Sequence, residues 1–268
     1  MIGAAMSYRK RTVNFCMLPL RAETRQLIDR LERLSDREIQ MMGVDDLPLL
    51  ASLQIARDGA SFHVLRYKPS SDPLDYVVAH QVGFVLRMFE LPAEQRMDFA
   101  GTGHGVTDLE EVIRLTSGSS TADQHVLPEF AKFVHQWALM QLRSIPIGMR
   151  VDAWLHSSFP ALRELVAQGI GVQQQMNADI LGRRVGNLTP PPIHLAPAAA
   201  YALFADRLLA TNLFAIPFEA VGAVADGKTL LNLFDAIPDD PPHDRQLVDA
   251  WAERLGMTGW YEWVHYQP

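Results

Sequence analysis

The segment "DYVVAHQVGFVLRMFELP" (Asp75–Pro92) has the length and apolar load of a helix that must be buried. Asp72 and Pro73 precede it as an N-cap and first-turn pair, and Pro92 closes it. Such a helix can exist only as the centre of a packed core, so the rest of the chain has to wrap it. Two polar side chains interrupt it. Because successive helical residues turn about 100°, setting His80 at zero puts Phe84 near 40°, Arg87 near −20°, Tyr76 near −40° and Gln81 near 100°. Val77, Met88, Val85, Val78 and Phe89 spread over the arc that contains Gln81. A buried amide without partners costs about 1–3 kcal/mol, so Gln81 is expected either to be held by a distant polar group or to face a cavity. His80, at the edge of the arc beside Tyr76 and Arg87, is expected to border a polar cleft.

The sequence upstream of this helix supplies a strand. "SFHVLRYKP" (Ser61–Pro69) alternates and is rich in strand formers, with His63 facing solvent or one side of a sheet. Arg21–Leu34 carries Leu27, Ile28, Leu31 and Leu34 at helical spacing. "SDRE" from Ser35 reads as a capping box opening another helix, and Asp45, Asp46 and Pro48 suggest one more start. After Pro92 an irregular region holds the turn "GTGHG" (Gly101–Gly105) and "SGSST" (Ser117–Thr121). From Pro128 the pattern is helical. One helix presents Phe130, Phe133, Trp137 and Met140 and ends near "SIPIG", "MRVDAWL" (Met149–Leu155) begins the next, and Pro160–Leu181 carries a third. "GNLTPPPIHLAP" is the clearest linker. Beyond it the pattern predicts helices over Ala196–Ile216, Thr229–Ile237 and Asp244–Leu255, the last closed by Gly256, and a short final helix in "GWYEWVHY".

Order and spacing within Ser61–Met88 resemble one known family. Strand, loop and then "DYVVAHQVGFVLR" keep the frame "DYxxAHExGHxLR" of the ImmA/IrrE-like zinc metallopeptidases, a zincin group. In the H-E-x-x-H motif two histidines at i and i+4 reach zinc from one helical face, and the glutamate takes a proton from metal-bound water. This chain keeps His80 and Gly83 but has Gln81 for the base and Phe84 for the second imidazole. An amide cannot accept a proton near neutral pH, and a benzyl ring offers no lone pair.

The resemblance therefore implies a vestigial motif (His80, Gln81, Phe84) with no catalytic residue and no metal. His80 and Asp152, an acid early on a later helix, are the candidate remnants of the ligand set, with Glu110, Glu111 and Glu129 as competitors for the third position. It implies an α+β, predominantly helical fold: a zincin-like core with a small antiparallel sheet packed on the motif helix, plus additional C-terminal helices. A boundary falls at 189/190, or the chain is one continuous domain. The function implied is that of a catalytically inactive, metallopeptidase-like pseudoenzyme that binds a protein or ligand in a bacterial or phage regulatory setting. Two alternatives stand beside it. One is an active zinc-dependent peptidase with rearranged ligands, for instance His80 with His135 and Asp152. The other is a helical scaffold without an ancestral site.

Bulk properties exclude other classes. The net charge is −7, and the only basic run, "YRKR" at Tyr8–Arg11, is short, which argues against nucleic acid. Cys16 is the single cysteine, so neither a disulfide within the chain nor a cysteine zinc site can form. Ala196–Ile216, the most apolar window, is broken by Asp206 and Arg207 and is no membrane span. A cytoplasmic protein, with a protein partner and no membrane, is the expectation. His125, His156 with Ser157 and Ser158, and the acidic loop "PDDPPHD" show no catalytic or metal-loop spacing.

Overall fold

The computed structural model describes residues 18–117, 125–179, 181, 191 and 195–268. Tyr8–Arg11, Cys16, most of "SGSST" and most of the proline-rich linker lie outside the described residues. The fold is α+β and predominantly helical, and among the described residues no helix is long and apolar enough to cross a membrane.

Helix α1 (Ala22–Ser35) buries Leu27 and Leu31 against α2 (Leu74–Phe89). Asp75, in the first turn of α2, ties the two together. Its Oδ1 accepts from the Thr24 hydroxyl at 2.7 Å and from the Arg21 amide at 2.8 Å. Ser35 does not open a new helix. Its hydroxyl donates back to the Leu31 carbonyl, and Asp36 takes a left-handed conformation (φ 53°) that ends α1. Glu38–Gly43 then runs as strand β1, because serine and aspartate serve the end of one helix as readily as the start of another. Likewise Asp45–Pro48 leads into strand β2 (Ala51–Gln54) rather than a helix.

Strand β3 (Phe62–Tyr67) lies where the alternation predicts it and is central in the order β1-β3-β2. Strand β2 is antiparallel to β3, but β1 is parallel to it, with Glu38 opposite Phe62. The sheet is therefore mixed, not antiparallel: β1 occupies the far side of β3, and β2 intervenes in the chain. His63 is not on a solvent face. It is fully buried, its Nδ1 accepts the Ala56 amide at 2.9 Å, and its ring meets Phe89 edge-on at 5.6 Å.

After α2, strand β4 (Met97–Gly101) and helix α3 (Val106–Ser117) form where the sequence reads as irregular. A single helix, α4 (Leu127–Ser158), spans what the pattern divides into two. Pro146 removes one amide that would reach Leu142, yet Leu142, Ile147 and Met149 on either side are buried and hold the helix through it. Its buried stripe is Phe130, Val134, Trp137 and Leu142, while Phe133 and Met140 are exposed.

Helices α5 (Arg163–Asp179), α6 (Ala196–Leu209), α7 (Ile216–Ala220), α8 (Val224–Ala236) and α9 (Asp244–Arg254) complete the helical part. Gly256, with φ +68°, follows α9 as expected. The tail is not helical. Tyr261–His265 is strand β5, antiparallel to β4 with Trp263 opposite Phe99. Aromatic residues that read as a helix face are held here by stacking: Phe99 lies 4.4 Å from Tyr261, ring to ring.

Two large cores result. One joins α1, the mixed sheet, α2 and α5, the other joins α3, α4, α6, α8 and α9, and a smaller third cluster holds Trp137, Ala199 and Phe218. Phe84 packs against both large cores. Residues 195–268 thus share a core with α4 and a sheet with β4.

Candidate functional site

Helices α2 and α4 cross with their backbones close together, because Gly83 and Gly148 stand at the contact. A Cβ on Gly83 would come within 2.8 Å of Val151, and one on Gly148 within 3.2 Å of His80 Nε2. This approach carries the His80 ring to Asp152 of α4. Nε2 lies 3.6 Å from Asp152 Oδ1, beyond hydrogen-bond length but within reach of a charge. Asp152 itself is completely buried. Tyr76, one turn before His80, donates its hydroxyl to Oδ1 at 3.0 Å, and Tyr201 of α6 donates to Oδ2 at 2.6 Å.

Electrostatics follow from the burial. Loss of solvent raises the Asp152 carboxyl above the ordinary carboxylate range, although His80 and the two hydroxyls act the other way. The phenols of Tyr76 and Tyr201 are held well above their usual value, first by burial and then by the adjacent carboxylate. Neither tyrosine therefore loses its proton near neutral pH, and both remain donors. For Asp152 alone the linkage has a definite sign. Stability is fully present below the unfolded carboxyl value of 3.8 and is lost as pH rises through the higher folded one.

His80 and Asp152, remote in sequence, are brought together. The other named residues are not. Gln81 and Phe84 are half-buried at the margin that also holds Arg87 and Met88, while the fully buried arc of α2 turns away from them. The amide of Gln81 is thus not enclosed in the core, contrary to its position in the apolar arc of the sequence. His135 is far from the pair. Seventeen positions separate it from Asp152 on α4, about 25 Å at 1.5 Å per residue, and its Nε2 is 2.7 Å from the His104 carbonyl. A His80, His135 and Asp152 centre therefore does not form. Glu111 and Glu129 pair with Arg114 and Lys132 on their own helices.

Zinc sites built by proteins use at least three side-chain ligands. Here two donors are present, the carboxylate oxygens already accept two phenols, and Phe84 stands where a second imidazole would project. Among the described residues no group of three or more His, Cys, Asp or Glu side chains is placed to hold a metal ion. As it stands the arrangement does not fit zinc. Chemically it is a buried, hydrogen-bonded carboxyl with an accessible imidazole at its edge.

Tyr201 is missed by sequence reasoning. Its one signal is a lone hydroxyl in the otherwise apolar run "APAAAYALFA". A cleft of about 410 Å³ is missed as well. It opens next to Phe84, between α2, α4 and the β4–β5 ribbon.

Tyr76 keeps its place because Gly169 of α5 has no side chain: a Cβ there would collide with the phenol ring. Gly171, two residues on, has open space around it. Gly169→Ala is expected to lower stability by about 2 kcal/mol, the cost of overpacking exceeding the gain in helix propensity. Gly171→Ala is expected to raise it by about 0.5–1 kcal/mol. Urea unfolding of both variants checks this, and shifts of the same sign would contradict it.

No family model, curated protein or solved structure matches this chain.

Proposed function

We propose that this protein is a degenerate metallopeptidase of the zincin type, retained to bind a ligand or protein partner rather than to cleave one. The observation that carries the reading is the 3.6 Å approach of Asp152 to His80. A mixed sheet and strand β3 precede the His80 helix, and an acid from a later helix meets that histidine, which is the placement a third ligand would need. Gln81 and Phe84 then account for the lost chemistry. An amide has replaced the proton acceptor, and an apolar ring has replaced a metal ligand and fills the seam between the two cores. What remains is a hydrogen-bonded polar cluster one helical turn from the cleft that Phe84 lines, a setting suited to recognition.

The experiment restores the missing groups. Phe84→His with Gln81→Glu is expected to bind close to one zinc per chain, measured by metal analysis after dialysis. Adding Asp152→Asn should abolish that binding. If the double variant remains folded and takes up no zinc, the zincin reading is wrong.

A further inference from the structure

The cleft beside Phe84 contains a guanidinium that no described side chain pairs with directly. Arg143 projects from α4 into it, and among the described residues its guanidinium has no hydrogen-bond or ion-pair partner. The acids around it are already engaged. Asp98 accepts from Arg57 through both oxygens, at 2.8 and 2.6 Å. Asp244 accepts from Arg87 at 2.6 and 2.8 Å and from Arg150 at 2.8 Å. Glu94 lies exposed on the rim, and the charges that act on Arg143 are those of Asp98 and Arg57. Arg245 is turned toward Asp249 at 3.7 Å and the Trp263 ring at 5.9 Å, and His265 is exposed.

The surroundings of Arg143 are unlike an ordinary surface. Its side chain is open to water yet largely surrounded by protein atoms, as a group in a recess is, and this desolvation lowers its proton affinity. Among the described residues Asp98 is the one acid that attracts it, from a distance and while bound to Arg57, so the guanidinium has no direct counter-charge there. Apolar and aromatic side chains share the lining with the charged ones: Phe84, Met88, Phe99, Ile147 and Trp263. A volume of about 410 Å³ falls in the range of small-molecule pockets.

We propose that this cleft binds a small organic anion, a carboxylate or sulfonate on a flat apolar body, with the anionic head on Arg143 and the body between Phe84, Phe99 and Trp263. The guanidinium offers a planar fork of donors to two oxygens of the head, and ring stacking holds the body. This site does not depend on zincin ancestry. It needs neither His80 nor Asp152.

Two dyes of nearly the same shape test it. 8-Anilinonaphthalene-1-sulfonate carries the anion, and N-phenyl-1-naphthylamine is its neutral counterpart. Each is titrated into the full chain at low ionic strength and followed by dye fluorescence. Wild type is expected to bind the sulfonate more tightly than the neutral dye, with added salt weakening only the former. Arg143→Met, which keeps the stem and removes the charge, should weaken the sulfonate about tenfold or more and leave the neutral dye within about twofold. A cooperative thermal transition must accompany each titration, because partly folded states also bind these dyes. Equal loss of both dyes, no loss of either, or no preference for the sulfonate in wild type would each overturn the proposal. If Arg143→Met does not fold, the wild-type preference and its salt dependence still decide.

Discussion

Asp244→Ala is expected to destabilise the protein by about 3–5 kcal/mol, the range found when a buried ion pair loses one partner. Asp244 opens α9 and is 12% exposed at its side chain. Its two oxygens receive Arg87 and Arg150, so one carboxylate serves two guanidiniums that come from different helices. Arg87 would retain Asp239 at 2.9 Å. Arg150 would not be rescued in the same way. It is fully buried, its Nη2 donates to the Ile237 carbonyl at 2.9 Å, and its Nε lies 3.7 Å from a half-exposed Asp239 without a hydrogen bond. A charge in that position without Asp244 has almost no solvent to stabilise it. Loss of a negative group from the first turn of α9 adds only about 0.3–1 kcal/mol. Arg150→Met should cost less, since Asp244 keeps Arg87, and the double variant Asp244→Ala, Arg150→Met should recover part of the loss. Urea unfolding near neutral pH decides. A cost below about 1 kcal/mol for Asp244→Ala would mean that Arg150 finds a counter-charge elsewhere.

Acidification is expected to weaken the fold through His63. Burial lowers its imidazole from 6.5 to about 4, with Arg37 adding to the effect. The folded protein therefore holds His63 neutral where the unfolded chain would protonate it. Its contribution is present above pH 6.5 and is lost as pH falls through that value toward about 4. The total is about 2–3 kcal/mol. His63→Asn keeps an acceptor for the Ala56 amide and removes the titration, so stability in this variant should be much flatter with pH. Asp152 acts oppositely as pH rises above 3.8, since its raised carboxyl favours the folded state at low pH. Asp152→Asn should consequently steepen the loss on acidification. Unfolding free energies between pH 4 and 7 for the three proteins test both signs. An unchanged slope in His63→Asn would show that other groups control acid stability.

How far the fold was legible depended on whether the signal was local. Strand β3, helix α2, the sites of α5, α6, α8 and α9, and Gly256 after α9 all follow from periodicity and from residues that stop helices. The structure departs from the local pattern where one short motif has two uses. Ser35 and Asp36 suit either end of a helix, and the choice was made by Ser35 bonding back to Leu31. Pro146 usually ends a helix, yet burial on both sides of it carries α4 through. "YEWVH" reads as a helix by itself and is a strand because β4 pairs with it from 160 to 168 residues earlier in the chain.

The candidate site divides in the same way. Composition and the local patterns were enough to indicate a mostly helical α+β chain without a basic stripe, and helical rotation placed His80 and Phe84 close together on α2 with Gln81 further round. These are properties of neighbours in sequence, where helical rotation alone sets the geometry. The meeting of His80 with Asp152, the hydroxyl of Tyr201, the burial of His63 and the place of the Arg143 guanidinium in the cleft are not of that kind. Each depends on how closely two distant helices or strands approach, and that distance is set by the small residues and ring contacts between them.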